Sequence, residues 1–258
     1  MKTVKLELLS FQRKIKEFFY RFLSHRSFSI TTIPVSKCRH YCGFKYGCNS
    51  LNPYENYIIG LHTKRSINDL RKNFENFLMY YRPQCFADIF DIELSKHIPL
   101  WIYPWDNSTN FNSNNGWIDD VDKVIDIITH FCELGIKKSQ IQKEYFWLER
   151  AYNQISTIGY QPNKFSYIEV FEISKKDESI FVVKDGNHRL SSLVALGYKE
   201  VMVKQYLHET VKVEDYKKWF QVILGTYSEH EALSLVNAYF KGVDNFKRCH
   251  KAAQILEY

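Results

Sequence analysis

Apolar positions along the chain follow two spacings, which predict an alternation of helices and strands. Spacings of three and four residues predict helices over 66–81, 118–131, 139–156, 213–224, 228–239 and 246–256. Runs of β-branched and aromatic residues predict strands over 165–173, 180–184 and 201–206. This order predicts an α+β fold, in which a small mixed sheet is flanked by helices and follows an α-rich N-terminal region.

The same pattern divides the chain into three parts. Residues 1–30 hold a basic amphipathic helix, residues 31–115 form an aromatic-rich accessory region, and residues 116–258 carry the sheet and the C-terminal helices. Residues 31–64 within the accessory region are expected to be irregular. The clearest boundary is the Asn-, Ser- and Thr-rich stretch 106–116. Residues 31–115 are either a separate domain or a lid on the same one.

Residues 1–23 are predicted to form a helix with one apolar face. At 100° per residue this face gathers Val4, Leu8, Phe11, Ile15, Phe18, Phe19 and Phe22. Residues 1–26 carry seven Lys and Arg against two Glu, which is +5 of the net +6. The helix either lies in the interface of an anionic membrane or packs on its own domain or a partner. Because the remainder is nearly neutral, no specific nucleic acid partner is expected.

Composition indicates a folded cytoplasmic protein, with the membrane's inner face as the site of any peripheral attachment. Of 258 residues, 45% are hydrophobic and 25% charged, and no signal-peptide cleavage site or long apolar run appears. Six cysteines are too sparse for a disulfide scaffold. Cys38, His40, Cys42 and Cys48 would ligate zinc only if all four converged; they lack the usual zinc-knuckle spacing, so buried or incidental thiols are expected and no metal site is predicted there.

Residues 180–206 are predicted to form a strand, a tight turn, a helix and a strand, and the turn carries the candidate chemistry. Gly186 allows a backbone conformation that other residues resist, and Asn187 and His188 stand at the start of the helix. Arg189, Ser191 and Ser192 follow in its first turn. Because first-turn N–H groups lack partners within a helix, this turn is a candidate phosphate site.

The candidate roles differ between these residues. Arg189 suits a grip on phosphate through two parallel N–H bonds, and His188 suits donation to phosphate or proton transfer. Ser191 and Ser192 either donate to the same oxygens or begin the helix. Asp185 either caps the turn, lies near Mg²⁺, or acts as a base.

The segment Asp185-Gly-Asn-His-Arg-Leu-Ser-Ser192 resembles the signature of the ParB N-terminal domain and sulfiredoxin superfamily, over about residues 140–206. That superfamily includes CTP-binding partition proteins, ATP-using sulfiredoxins and a free-serine kinase. The resemblance implies a nucleotide-phosphate site at Gly186, His188 and Arg189. It also implies ATP or another nucleoside triphosphate, with Mg²⁺, as cofactors.

Two departures favour the kinase-like branch of that superfamily. Asn187 stands where sulfiredoxins carry their reactive cysteine, so no thiolate is available there. Partition proteins carry an arginine at the position of His188 and continue into a DNA-binding helix-turn-helix domain, which is not evident in this sequence.

The resemblance also implies that the helix over 139–156 ends near the nucleotide. Glu149 is therefore a candidate for accepting a hydroxyl proton or holding Mg²⁺, and Arg150 for stabilising charge on the transferred group. The alternative is that both are solvated charges. Glu169, inside the strand over 165–173, is either a site carboxylate or a solvent-facing residue.

Aromatic residues suggest the acceptor. Trp101, Tyr103 and Trp105 either stack on a sugar or base or lie buried between subdomains. Asn52-Pro-Tyr-Glu55 and Pro99-Leu-Trp101 resemble segments of proteins encoded with surface-polysaccharide enzymes.

The sequence thus predicts a nucleotide-dependent phosphotransferase acting on a small hydroxyl-bearing or glycan acceptor. The alternatives are a non-catalytic nucleotide-sensing module and a ParB-like, DNA-associated CTPase or nuclease.

Overall fold

The computed structural model describes residues 27–47, 50–81, 83, 85–90, 92–98, 102–106 and 138–243. The helices predicted over 1–23, 118–131 and 246–256 lie outside the described residues, as do Cys48, Trp101 and most of the stretch 106–116.

Within the described residues, six strands form one mixed sheet flanked by helices, which confirms the predicted α+β class. The strands are β1 (Phe28–Pro34), β2 (Cys38–Arg39), β3 (Ile168–Lys175), β4 (Glu178–Asp185), β5 (Glu200–Tyr206) and β6 (Val211–Lys212). Their order is β1-β5-β3-β4-β2, with β6 also paired to β3. The pairs β1–β5 and β3–β4 are antiparallel, whereas β5–β3, β4–β2 and β3–β6 are parallel. Strands β3, β4 and β5 are the three predicted from the sequence.

The sheet is strongly curved. Strands β1 and β2 lie at opposite ends of the strand order, yet the short 3-10 helix Val35–Lys37 joins them. Four Cα steps reach at most about 14 Å. A flat sheet would place these edges about 19 Å apart, since strands are spaced by about 4.8 Å. The sheet therefore curls until one short connection reaches from edge to edge.

Eight helices surround the sheet in the part of the chain that the structure describes. They are α1 (Pro53–His62), α2 (Ile67–Tyr80), α3 (Phe86–Phe90), α4 (Lys138–Ile158), α5 (Pro162–Phe165), α6 (Asn187–Ala195), α7 (Phe220–Ile223) and α8 (Glu229–Lys241). Ser66 caps α2, and Ser228 and Glu231 form the capping box of α8, as their spacing predicts. None of the described helices is both long enough and apolar enough to cross a bilayer.

Two local predictions were wrong. Residues 31–64 are not irregular: they form most of β1, all of β2, and α1, which begins behind Asn52 with Pro53 in its first turn. Residues 213–224 are not one helix, because Trp219 is extended and buried between the 3-10 helix Val213–Lys218 and α7. The sheet consequently takes strands from both sides of the boundary predicted near residue 115.

Two apolar cores lie against the sheet. One packs α1–α4 and α8 against β3 and β4, with Phe44, Phe74, Phe77, Phe86 and Tyr239 among its fully buried or nearly buried rings. The other packs Leu190 and Leu193 of α6 and Ile155 of α4 against Val201 and Val203 of β5. Helix α6 is thereby fixed on one face of the sheet, which sets the position of the turn before it.

Arg39 ties the first strands to the last described helix. Its guanidinium is buried and donates to the carbonyl oxygens of Tyr239 (3.0 Å) and Phe240 (2.8 Å) in the last turn of α8. It also donates to the carbonyls of Ser36 and Cys38, at 2.9 Å each. A positive charge at a helix C-terminus satisfies otherwise unpaired carbonyls and complements the helix dipole.

We expect Arg39→Lys to destabilise the protein by about 2–4 kcal/mol, because an ammonium cannot reproduce these diverging bonds and leaves buried carbonyls unpaired. Urea denaturation measures the free energy of unfolding. Arg71→Lys is the matched control, since Arg71 is 46% exposed and its ion pair with Glu149 is worth about 1 kcal/mol or less. Equal losses in both variants would contradict the role assigned to Arg39.

Candidate functional site

The predicted turn joins β4 to α6 through a left-handed glycine. Asp185 ends β4, Gly186 has φ 93° and ψ 20°, and Asn187 begins α6. A Cβ on Gly186 would lie 2.9 Å from Ile168 Cγ1 and 3.0 Å from Arg189 Nη2, so both the conformation and the space require glycine. No side chain among the described residues caps this helix N-terminus. Its first-turn N–H groups are therefore available to an anion, as the sequence predicts.

Arg189 holds the turn against the start of β3. Its Nη1 donates to the carbonyl of Phe165 (3.2 Å) and to the carbonyl (2.5 Å) and hydroxyl (2.7 Å) of Ser166, while its Nη2 donates to Asp185 Oδ2 at 2.7 Å. The Arg189 side chain is 18% exposed, and that of Asp185 is 64% exposed. In this arrangement the guanidinium is used within the protein, so Arg189 positions the turn rather than presenting a two-pronged grip.

His188 pairs with a carboxylate from another helix. Its Nε2 lies 2.9 Å from Glu144 Oε2 of α4, and the two side chains are 23% and 20% exposed. A carboxylate that accepts from one imidazole nitrogen fixes the tautomer and leaves the other nitrogen as a proton acceptor. A pair of this kind at the N-terminus of α6 has the geometry that general-base chemistry requires.

Aromatic and imidazole rings support His188 from behind. The Tyr54 ring of α1 lies 5.8 Å from the His188 ring and 5.3 Å from that of His40. His40 is buried and accepts the Cys42 N–H at Nδ1 (3.1 Å). Burial, followed by the nearby His188, lowers the pKa of His40 to about 3. His40 therefore stays neutral, and its stack with Tyr54 limits where the His188 ring can move.

Asn187 is held by the region predicted to be accessory. Its Oδ1 accepts from the Tyr46 hydroxyl at 2.6 Å. Gly47, which follows Tyr46 in the chain, donates its N–H to Glu55 Oε2 at 3.0 Å. Burial raises the pKa of Tyr46 well above its usual value, which keeps this hydroxyl a donor. Tyr46, Gly47 and Glu55 thus form one wall of the turn.

Ser191 and Ser192 are fully buried on α6. Ser192 Oγ donates to the His188 carbonyl at 2.8 Å, one turn earlier in the helix. Ser191 Oγ has no hydrogen-bond partner among the described residues. Neither hydroxyl is at the surface where a phosphate would approach the helix N-terminus.

Glu149 and Arg150 lie elsewhere on α4. Glu149 accepts from the Tyr57 hydroxyl (2.5 Å) and from Arg71 Nη2 (2.8 and 3.0 Å), so it pairs with α1 and α2. Arg150 lies over the Trp147 ring at 5.3 Å. The structure therefore brings Asp185, Gly186, Asn187, His188 and Arg189 together but does not bring Glu149 and Arg150 to them.

Glu144 is the site residue that sequence reasoning missed. It lies three residues after Ile141 and four before Leu148, both of which are buried, and five residues before Glu149. Five residues turn a helix by about 140°, so the two glutamates point in different directions. The available signal was a carboxylate within the apolar stripe of α4.

The remaining candidates lie in structural positions. Glu169 accepts from Lys204 (3.2 Å) and Tyr206 (2.9 Å) on the sheet. Tyr103 stacks on Trp105, with centroids 5.0 Å apart, and both pack against the first core. In the described residues, no three His, Cys, Asp or Glu side chains are grouped so as to hold a metal ion.

Comparisons of the chain with protein-family models, with curated proteins and with solved structures find no match. The resemblance to the ParB and sulfiredoxin superfamily accordingly stays a prediction from the residues of the turn.

Gly186→Ala tests the close approach at the turn. We expect it to destabilise the protein by about 2–4 kcal/mol, because a strained φ and displacement of Ile168 and Arg189 add together. Gly197→Ala is the matched control: its φ is 85°, but a Cβ there meets nothing within 4 Å, so only the backbone cost of about 1 kcal/mol applies. Thermal and urea unfolding compare the two. Equal losses would show that the space around Gly186 is unimportant.

Glu55 makes stability depend on pH. Burial raises its pKa from 4.5 to about 7, against the lowering effect of bonds from Gly47 and Ser50. The folded state thus retains a proton that the unfolded chain releases, so this contribution is complete below pH 4.5 and is lost as pH rises through 7. The expected loss is on the order of 3 kcal/mol.

Glu55→Gln keeps an acceptor for Gly47 but cannot ionise. Its free energy of unfolding should vary less between pH 5 and 8 than that of the wild type, and its advantage should be greatest at pH 8. Asp177→Asn, in the exposed β3–β4 turn, is the control. Parallel pH profiles for Glu55→Gln and the wild type would rule out a buried protonated Glu55.

Proposed function

We propose that the protein is a nucleotide-dependent phosphotransferase that acts on a hydroxyl-bearing small molecule or glycan. The observation that carries this proposal is the 2.9 Å pair between His188 and Glu144 beside the uncapped N-terminus of α6. It joins a proton acceptor to an anion-binding helix end, which are the two elements that transfer to a hydroxyl requires.

The phosphate side of the site is built from backbone. The first-turn N–H groups of α6 and the helix dipole attract phosphate oxygens, and Gly186 supplies the left-handed turn that precedes them. The 64% exposed carboxylate of Asp185 would repel a bare phosphate but fits a nucleotide that carries Mg²⁺. When bound, Mg²⁺ neutralises charge on the phosphates, and Asp185 is the carboxylate of the turn that would share it.

The acceptor side uses His188. The Nε2–H group of His188 donates a hydrogen bond to Glu144. Its Nδ1 then removes the proton of the acceptor hydroxyl as that oxygen bonds to the terminal phosphorus. The bond from phosphorus to the bridging oxygen breaks, and the nucleoside diphosphate leaves with that oxygen. Glu144 stabilises the resulting imidazolium. A base of this kind contributes about 10²- to 10⁴-fold to the rate.

The resemblance of the turn to the kinase-like branch of its superfamily supports the same reaction. A hydroxyl-bearing acceptor follows from the chemistry of the base, because an imidazole that removes a proton requires a nucleophile that carries one. The segment Asn52–Glu55, which suggested a glycan, lies in the wall of the site through Glu55.

Glu144→Gln and Glu149→Gln test the assignment with the same substitution on one helix. We expect Glu144→Gln to bind ATP and Mg²⁺ within about threefold of the wild type in calorimetric titration. Its phosphate transfer to water or to a panel of sugars and amino alcohols should fall by about 10²- to 10⁴-fold. Glu149→Gln should retain both properties, because Glu149 pairs with Arg71 and Tyr57 instead.

Four results would count against this proposal. Absence of nucleotide binding would remove the phosphate site. Binding without turnover in the wild type would favour the nucleotide-sensing alternative, and a strict preference for CTP would favour the partition-like one. Loss of turnover in Glu149→Gln but not in Glu144→Gln would show that Glu149, the carboxylate predicted from the sequence, is the one that the reaction uses.

A further inference from the structure

One face of the β1–β5 pair is apolar and open. The antiparallel register places Phe28, Ile30 and Thr32 opposite Tyr206, Lys204 and Met202, so these six side chains share a face. Phe28 is 46% exposed, and Ile30 and Met202 are each 41% exposed. Adjacent large apolar side chains on paired strands indicate a surface that something covers.

The charges on this face are already matched. Lys204 lies between the rings of Phe28 (4.9 Å) and Tyr206 (4.7 Å), and its ammonium pairs with Glu169 at 3.2 Å. The lysine stem therefore extends the apolar surface while its charge is neutralised nearby. Such a face suits an apolar partner rather than an acidic or basic one.

The opposite face of the same strands is filled. Ile33, Val201 and Val203 are buried there against Leu190 and Leu193 of α6. Any further element that packs on β1 and β5 must use the face that carries Phe28, Ile30 and Met202.

The chain itself leads to this face. The Ser27 carbonyl accepts the Leu207 N–H at 3.1 Å, which fixes the point at which residues 1–26 join β1. Only residues 24–27 separate the amphipathic segment 1–23 from the strand. Connections of about two to six residues between a helix and a strand usually fold the helix back on the sheet. A helix of 23 residues is about 34 Å long, enough to cover a seven-residue strand of about 23 Å.

We propose that residues 4–22 pack their apolar side chains on the exposed face of β1 and β5. Phe11, Ile15 and Phe18, at the centre of the amphipathic face, then replace solvent over Phe28, Ile30 and Met202. The lysines and arginines of segment 1–23 face outward, so its net charge of +4, from six basic against two acidic residues, stays hydrated. This inference stands apart from the phosphotransferase proposal and chooses between the two interpretations of the terminal segment.

Thiol labelling of the full chain tests this packing. Met202→Cys places a thiol on the face, and Ile223→Cys places one on α7, where Ile223 is 54% exposed. We expect the thiol at position 202 to react at least tenfold more slowly, as resolved by peptide mass spectrometry. Adding Phe11→Glu, which puts a charge into the apolar contact, should raise that rate at least fivefold. Adding Ser10→Glu, on the polar face of the segment, should leave it unchanged.

Cys38 reports whether each variant is folded, because it is fully buried and must stay unlabelled. If Phe11→Glu exposes Cys38, Phe11→Ala replaces it. Equal labelling at positions 202 and 223 would overturn the proposal, as would slow labelling that no Phe11 substitution relieves. Slow labelling that accelerates on dilution would assign the face to a second copy. If the protein floats with phosphatidylglycerol and phosphatidylcholine vesicles, and position 202 is labelled in solution as fast as position 223, the segment binds membranes instead.

Discussion

The burial of one arginine organises the described structure. The Arg39 guanidinium can lie inside the protein only because four carbonyls surround it, two of them from the last turn of α8. Those bonds hold the chain that follows Arg39, in which the Gly43 carbonyl also accepts the Val243 N–H at 2.9 Å. The same stretch of chain places the His40 ring against that of Tyr54, and it places the Tyr46 hydroxyl on Asn187. The walls of the candidate site thus depend on hydrogen bonds to α8, a helix from which no side chain of the site described above comes.

The charged residues of the turn divide their work. Arg189 gives its hydrogen bonds to the carbonyls of Phe165 and Ser166 and to Asp185, so it sets the position of α6 relative to β3. His188, one residue earlier, points to Glu144 of α4 instead. In the proposed reaction, positioning and proton transfer therefore belong to adjacent side chains. A substitution at Arg189 would change the geometry of the site, whereas one at His188 would change its chemistry.

Local patterns predicted the parts of the fold that local forces determine. Strands β3, β4 and β5, the capped helices α2 and α8, and the glycine turn before α6 all carry their signals within a few residues. Strand β1 was missed because its apolar residues Phe28, Ile30 and Ile33 do not keep a spacing of two, although its burial alternates in the structure. Glu149 was chosen over Glu144 because the sequence gives the faces of α4 but not which helix each face meets. The partners of Arg189 likewise could not be predicted, because two of them are backbone carbonyls and the pattern of side chains carries no information about these.

The connection between the two edges of the sheet has a consequence for synthesis on the ribosome. Strands β1 and β2 are made early, yet their partners β5 and β4 lie more than 140 residues later in the chain. Synthesis proceeds at about 5–20 residues per second, so these strands wait on the order of 10 seconds or more without a partner. During that interval the uncharged segment Phe28-Ser-Ile-Thr-Thr-Ile-Pro34 is open to pairing with other nascent chains. The curved sheet therefore leaves, before it closes, an uncharged strand unpaired for seconds during synthesis.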